Sequence, residues 1–158
     1  MTTNPAVASN ESDVNVKNVK NVKQAASQAQ TRGARPVVEI GKRLVELCQE
    51  GRGLEAVDAL YDEMVVSIEA ADSDDLPARM EGIEAIRGKN SWWYENHEIH
   101  SSSAAGPFCG HRDDQFAVVF EMDVTLRTTG VRSQLAEIAL YTVSNGKIVQ
   151  EEFLYYTD

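Results

Sequence analysis

Phe116-Ala-Val-Val-Phe-Glu-Met-Asp-Val-Thr-Leu126 alternates with a period of two. Phe116, Val118, Phe120, Met122, Val124 and Leu126 form one wholly apolar row, and Ala117, Val119, Glu121, Asp123 and Thr125 the other. That period is the signature of a strand, whose successive side chains point to opposite faces. Two further strand-like runs follow, at 134–143 and 147–156, joined by the turn Ser144-Asn145-Gly146. The links are short, so the long strands are expected to pair antiparallel. Carboxylates stand inside these runs, at Glu121, Asp123 and Glu137. Acids within consecutive strands suggest a curved sheet with a polar pocket on one face.

Upstream, the period changes to that of a helix. Pro36 opens one, where its fixed φ and missing N–H do no harm. Val37, Ile40, Leu44, Leu47 and Cys48 follow at helical spacing, and Gly51 and Gly53 are expected to stop it. Leu54, Val57, Leu60 and Tyr61 mark a second, short helix. Residues 64–69 read as a strand, with Met64, Val66 and Ile68 on one face and Val65, Ser67 and Glu69 on the other. A polar loop spans 72–77. A third helix runs from about Gly82 to His97, with Ile83, Ile86, Asn90, Trp93 and His97 on one stripe. Residues 98–103 read as a short strand and 104–114 as a connection. Helices preceding a sheet, without βαβ alternation, indicate an α+β fold: about three N-terminal helices against a curved, mostly antiparallel sheet.

The 158 residues allow one domain, and 42% hydrophobic with 25% charged residues is ordinary for a globular chain. Residues 1–35 differ: they hold Asn, Ser, Gln, Thr and Lys, no aromatic, and the repeat Val16-Lys-Asn-Val19-Lys-Asn-Val22-Lys. This segment reads as a disordered tail, leaving 36–158 as the folded domain. The net charge of −10 argues against nucleic acid or an anionic membrane as a partner. No apolar run approaches the roughly 18 residues of a membrane span, and no signal core is apparent. Cys48 and Cys109 lack metal or redox spacing. A cytoplasmic location is the expectation.

Helix, helix, strand, helix, short strand and three long strands, with these residues, resemble the SnoaL-like group of the nuclear transport factor two-like (cystatin-like) superfamily. Three stretches carry the resemblance: Leu60-Tyr-Asp-Glu-Met-Val-Val-Ser-Ile-Glu69; Glu81-Gly-Ile-Glu-Ala-Ile-Arg-Gly-Lys-Asn-Ser-Trp-Trp93 with Asn96-His-Glu-Ile-His100; and Glu137-Ile-Ala-Leu-Tyr-Thr-Val-Ser-Asn-Gly-Lys-Ile-Val149. The resemblance implies a bent sheet wrapped around a helix as a cone with one pocket, and a homodimer packed through the open sheet face. It implies enzymes of the isomerase, cyclase and dehydratase kinds as well as binding proteins, so the fold alone does not fix the function.

Several residues are candidates for chemistry. Glu69 matches the strand-end carboxylate that serves as general base in ketosteroid isomerase-like members, and a carboxylate at an apolar pocket mouth has its pKa raised by desolvation. Glu137 shares a face with Tyr141. His97, with a pKa near neutrality, is an acid/base candidate. Tyr61, Asn90, Trp93, His100, Glu121, Asp123 and Tyr141 are candidate pocket residues. A register error of one residue would swap the faces of the long strands. His97 and His100 lie where a helix passes into a strand, so their directions should diverge, and no metal site or cofactor is expected. The expected ligand is a small apolar or carbonyl-containing molecule, handled by carboxylate acid/base chemistry. A non-catalytic ligand-binding or protein-interaction module of the same fold is the alternative.

Overall fold

A computed structural model describes residues 36–73 and 76–156. The tail expected over residues 1–35 lies outside the described residues. Helix α1 (Pro36–Gln49) is followed by α2 (Gly53–Leu60), β1 (Tyr61–Ile68), β2 (Arg79–Glu81), α3 (Ile83–Asn96), β3 (His97–Phe108), β4 (Gln115–Leu126), β5 (Val131–Ser144) and β6 (Lys147–Leu154). The six strands form one sheet in the order β2-β1-β6-β5-β4-β3. β1 runs parallel to β6, and the other neighbours are antiparallel. The α+β class and the antiparallel pairing of the long strands therefore stand as expected, on an open, curved, mixed sheet.

Sequence and structure part at the edges. β3 has twelve residues rather than about six, and the expected connection from 104 shrinks accordingly. Its Ser101-Ser102-Ser103 and Gly106-Pro107 look unlike a strand because β3 is a sheet edge, where polar residues and proline are tolerated. β2, only three residues at the other edge, carries no periodic signal. Gly53 opens α2 instead of stopping α1, while Gly51, with φ 71°, makes the stop. Tyr61 starts β1 rather than ending α2.

The two rows of β4 divide as the alternation requires. Phe116 and Val118 are buried in one core with the helices, and Val124 is buried on the same row. In register, Phe120 faces Glu137 and Phe116 faces Tyr141. Glu137 and Tyr141 therefore share the inner, helix-covered face with the apolar row of β4, and Glu121 and Asp123 take the outer face. On β5–β6, Tyr141 pairs with Glu151 and Ala139 with Phe153. On β1, Val65 and Ser67 are buried while Met64 is 79% exposed. The inner face of the sheet thus carries Ser67, Glu137, Tyr141, Glu151 and Phe153 side by side.

The core that fixes this arrangement joins Leu44, Leu47, Val57, Ile86, Phe116 and Ile148. α1 lies close to the sheet at Gly41: a Cβ there would sit 2.6 Å from the Pro107 Cβ and 3.1 Å from the Phe116 ring. Hydrogen there lets the helix seat on β3 and β4. Phe116 and Tyr141 stack with centroids 4.9 Å apart. β5 and β6 are joined at Asn145 and Gly146, both with positive φ (50° and 76°), as a two-residue hairpin requires.

Candidate active site

Between the helices and the inner sheet face lies a cavity of about 770 Å³. Leu44, Cys48, Val57, Trp92, Trp93, Phe120, Met122 and Phe153 make much of its wall apolar. Its polar lining includes Tyr61, Glu69, Lys89, Asn90, His97, Glu137, Tyr141, Glu151 and Tyr155.

The electrostatic centre is Lys89, which follows Ile86 by three residues and so lies on the inward side of α3. Its Nζ donates to Ser67 Oγ at 2.7 Å, to Glu151 Oε1 at 2.7 Å and to Glu69 Oε1 at 2.9 Å. The same nitrogen sits 4.1 Å from the centroid of the Phe153 ring. Glu151 is 2% exposed. It also accepts hydrogen bonds from the Tyr61 hydroxyl, 2.6 Å, and the Ser67 hydroxyl, 2.7 Å. A buried carboxylate needs such compensation, because an ion taken out of water without partners is strongly disfavoured. Burial would push the Lys89 ammonium down, but the Glu151 and Glu69 charges outweigh it and hold its pKa above the ordinary value. Burial and the Glu151 charge push the Tyr61 phenol well up, so it stays a proton donor. Burial pushes the Cys48 thiol up to about 11, leaving it unreactive at neutral pH.

Glu137 stands apart from this network. Half-buried on β5, it makes no hydrogen bond or ion pair with the described residues. Desolvation first, then the Glu69 charge, raise its carboxyl to about 7; Lys89 opposes them, and the Glu151 charge adds a smaller upward effect. At neutral pH it exists in both protonation states, the condition that suits a group which takes and returns a proton.

The other candidates fall on both sides of the sheet. Glu69, Tyr61, Asn90, Trp93, His97 and Tyr141 line the cavity with Glu137. Glu69 is held by Lys89, and its second oxygen accepts from the Tyr155 hydroxyl at 3.3 Å. The Asn90 amide is turned back on its own helix, donating to the Ile86 carbonyl at 2.9 Å. His97 is buried beneath Trp93, ring stacked on ring at 3.9 Å, with Nδ1 3.0 Å from the Trp93 carbonyl. Because a carbonyl only accepts, Nδ1 is the donor in that contact.

His100, Glu121 and Asp123 do not belong to the cavity. His100 is exposed and bonds Thr125 Oγ1 at 2.8 Å. Asp123 is clamped by Arg132 through two bonds of 2.8 and 2.7 Å, which hold its carboxyl below the usual range. Glu121 and Asp123 line a shallower depression of about 440 Å³ with Ser101 and Gln134. The strand period accounts for Glu121 and Asp123, one residue out of step with the inner row, whereas His100 falls at the register shift between Ile99 and Ser101. Among the described residues no group of three His, Cys, Asp or Glu side chains is placed to hold a metal, and no helix is long and apolar enough to cross a membrane.

The SnoaL-like domain family matches residues 36–155. The chain belongs to the SnoaL-like family. A proposed SnoaL-like polyketide cyclase of Mesorhizobium loti, also labelled a carbohydrate phosphatase, shares 42% identity over 74% of this chain and 97% of its own, with a TM-score of 0.69. A proposed isomerase of Bacillus subtilis, 18% identical over 75% of this chain and 84% of its own, has the same fold at a TM-score of 0.60. So does a Mycobacterium tuberculosis protein solved in complex with estradiol-17beta-hemisuccinate, 17% identical over 79% and 97% of the two chains, TM-score 0.63. No curated protein matches the sequence.

Sequence reasoning missed three members of this SnoaL-like site: Ser67, Lys89 and Glu151. Signals for each were present. Ser67 alternates with Glu69 on β1, Lys89 lies on the Ile86–Trp93 side of α3, and Glu151 alternates with Phe153 on β6. What was lacking was the parallel β1–β6 pairing that brings Ser67 opposite Glu151.

Two outcomes follow from the electrostatics. Lys89→Met strands the Glu151 charge, so chemical denaturation should show a loss of about 3 kcal/mol or more, and Glu151→Leu added to it should restore part of that loss. The second concerns pH. Glu137 has a higher pKa folded than unfolded, so it is neutral in both states below about pH 4 and disfavours the folded state once ionised. Its destabilising effect grows between about 4.5 and 7, reaching on the order of 3 kcal/mol. Glu137→Gln should therefore be more stable than wild type at pH 8 and equal to it near pH 4, measured by urea titration at both values.

Proposed function

We propose that this SnoaL-like protein is a cofactor-independent enzyme that moves a proton next to the carbonyl of a small, largely apolar compound, with Glu137 as the base. The observation that carries this reading is one carboxylate, titrating near neutrality, open to an apolar cavity and left without a protein partner. Glu69 is the weaker candidate, since Lys89 and Tyr155 already hold both of its oxygens. In the reaction, ionised Glu137 takes a proton from the carbon beside the carbonyl. The C–H electron pair becomes a carbon–carbon double bond and the oxygen gains negative charge. Return of the proton to a different carbon completes an isomerisation. Attack of the new nucleophilic carbon on a second carbonyl gives a cyclisation, and loss of a neighbouring hydroxyl as water gives a dehydration. The Tyr61 hydroxyl already donates to Glu151 and the His97 Nδ1–H to the Trp93 carbonyl, which leaves the Tyr141 hydroxyl on the cavity wall as the candidate donor to the oxygen.

A ligand-binding protein without turnover is the second reading, favoured by the size of the cavity and the largely apolar character of its walls. We also propose a homodimer through the outer sheet face, where Met64, Ile138 and Leu154 are exposed. The setting is the cytoplasm.

The catalytic reading is tested by incubating the protein in deuterated water with an apolar cyclic ketone such as a tetralone and following deuterium at the carbon beside the carbonyl. Wild type should accelerate the exchange, and Glu137→Gln should lower the rate about 10²–10⁴-fold with an unchanged circular dichroism spectrum. An equal rate in the variant would remove Glu137 from the mechanism. The dimer is tested by light scattering, where a monomeric mass at high concentration would refute it.

A further inference from the structure

The charge and donor inventory of the cavity restricts what it can hold. Among the described lining residues, Lys89 is the one lysine or arginine, set against Glu69, Glu137 and Glu151. An ammonium has three protons, and those of Lys89 are directed to Ser67, Glu69 and Glu151. The Tyr61 and Ser67 hydroxyl protons go to Glu151, and that of Tyr155 to Glu69. Apart from the Tyr141 hydroxyl, these donors around the carboxylates are thus committed within the protein. Glu137 contributes two oxygens that accept no hydrogen bond from the described residues. This end of the cavity is rich in acceptors, poor in donors and negative.

The remaining walls supply flat surfaces. Trp93 is stacked on His97 with Trp92 edge-on to the same ring, and Phe120 and Phe153 line the cavity with them. Such walls favour a planar apolar body and tolerate a positive charge.

We propose that the cavity selects planar ligands whose polar group is neutral or cationic and donates a hydrogen bond to Glu137, and that it rejects carboxylates and phosphate esters. An anion entering here meets like charge and finds no free cation, which is how exclusion by repulsion works. The inference rests on the same cavity as the catalytic reading and narrows its substrates: the reacting carbonyl compound should carry a hydroxyl or amine and no acid group. It also speaks against turnover of sugar phosphates by this chain.

The test uses one aromatic frame with three head groups: 2-naphthalenemethanol, 2-naphthylmethylammonium and 2-naphthoate, titrated calorimetrically into the full chain at pH 8. The alcohol and the ammonium should bind at least about tenfold more tightly than the carboxylate. Glu137→Gln and Glu137→Leu should each narrow that gap several-fold, mainly by weakening the alcohol and the ammonium. Equal or tighter binding of naphthoate overturns the inference, as does an unchanged gap in both variants or binding of none of the three probes. A preserved ranking in a protein that exchanges no ketone proton leaves the inference standing and removes the catalytic reading. Exchange that proceeds without the ranking does the reverse.

Discussion

One ammonium holds the polar half of this cavity together. Lys89 reaches across from α3 to bond Ser67 and Glu69 on the β1 side and Glu151 on β6. The contact ties a helix to two strands whose pairing is parallel and which are distant in sequence. At 2% exposure the Glu151 carboxylate needs a cation and hydrogen-bond donors around it, and Lys89 is that cation. The ring of Phe153 beneath the nitrogen and the hydroxyls of Tyr61 and Ser67 complete its shell. The geometry is satisfied on every side, so the network is structural in its own right and is not free to meet a ligand.

The consequence for function lies in what that network leaves out. Three carboxylates share the cavity with one cation, and two of them have claimed it. The third, Glu137, sits among apolar walls with the other two charges nearby, and both effects favour its protonated form. An ordinary glutamate at neutral pH is a weak base with no proton to give. Here the surroundings bring the acid and base forms to comparable populations, which is what proton transfer in both directions requires. Glu69, the strand-end carboxylate that family resemblance singled out, is the member of the trio with the most protein partners after Glu151.

Much of the fold could be read from the chain. The period-two row from Phe116 to Leu126, the Asn-Gly turn and the helical stripes placed six of the nine described elements closely enough to pair them. The edge strands escaped because an edge needs no second apolar face, so β3 carries serines and a proline. For the site, the strand period correctly grouped Glu121 with Asp123, but choosing which row faced inward required knowing where the helices lie. Lys89 and Glu151 escaped for a different reason. A lone lysine on a helix and a glutamate in a strand both look solvated, and only their convergence across the β1–β6 pair makes each tolerable inside.

The central claim is that Glu137 is the uncommitted, near-neutral acid of a site whose other charges are neutralised in place. Carbon-13 NMR of the glutamate side-chain carboxyls, assigned through Glu137→Gln, measures it directly as a function of pH. Glu137 should titrate with a midpoint of about 7, moving lower in Glu69→Gln as one repelling charge is removed. A midpoint near the ordinary 4.5, unmoved by that substitution, would contradict the claim.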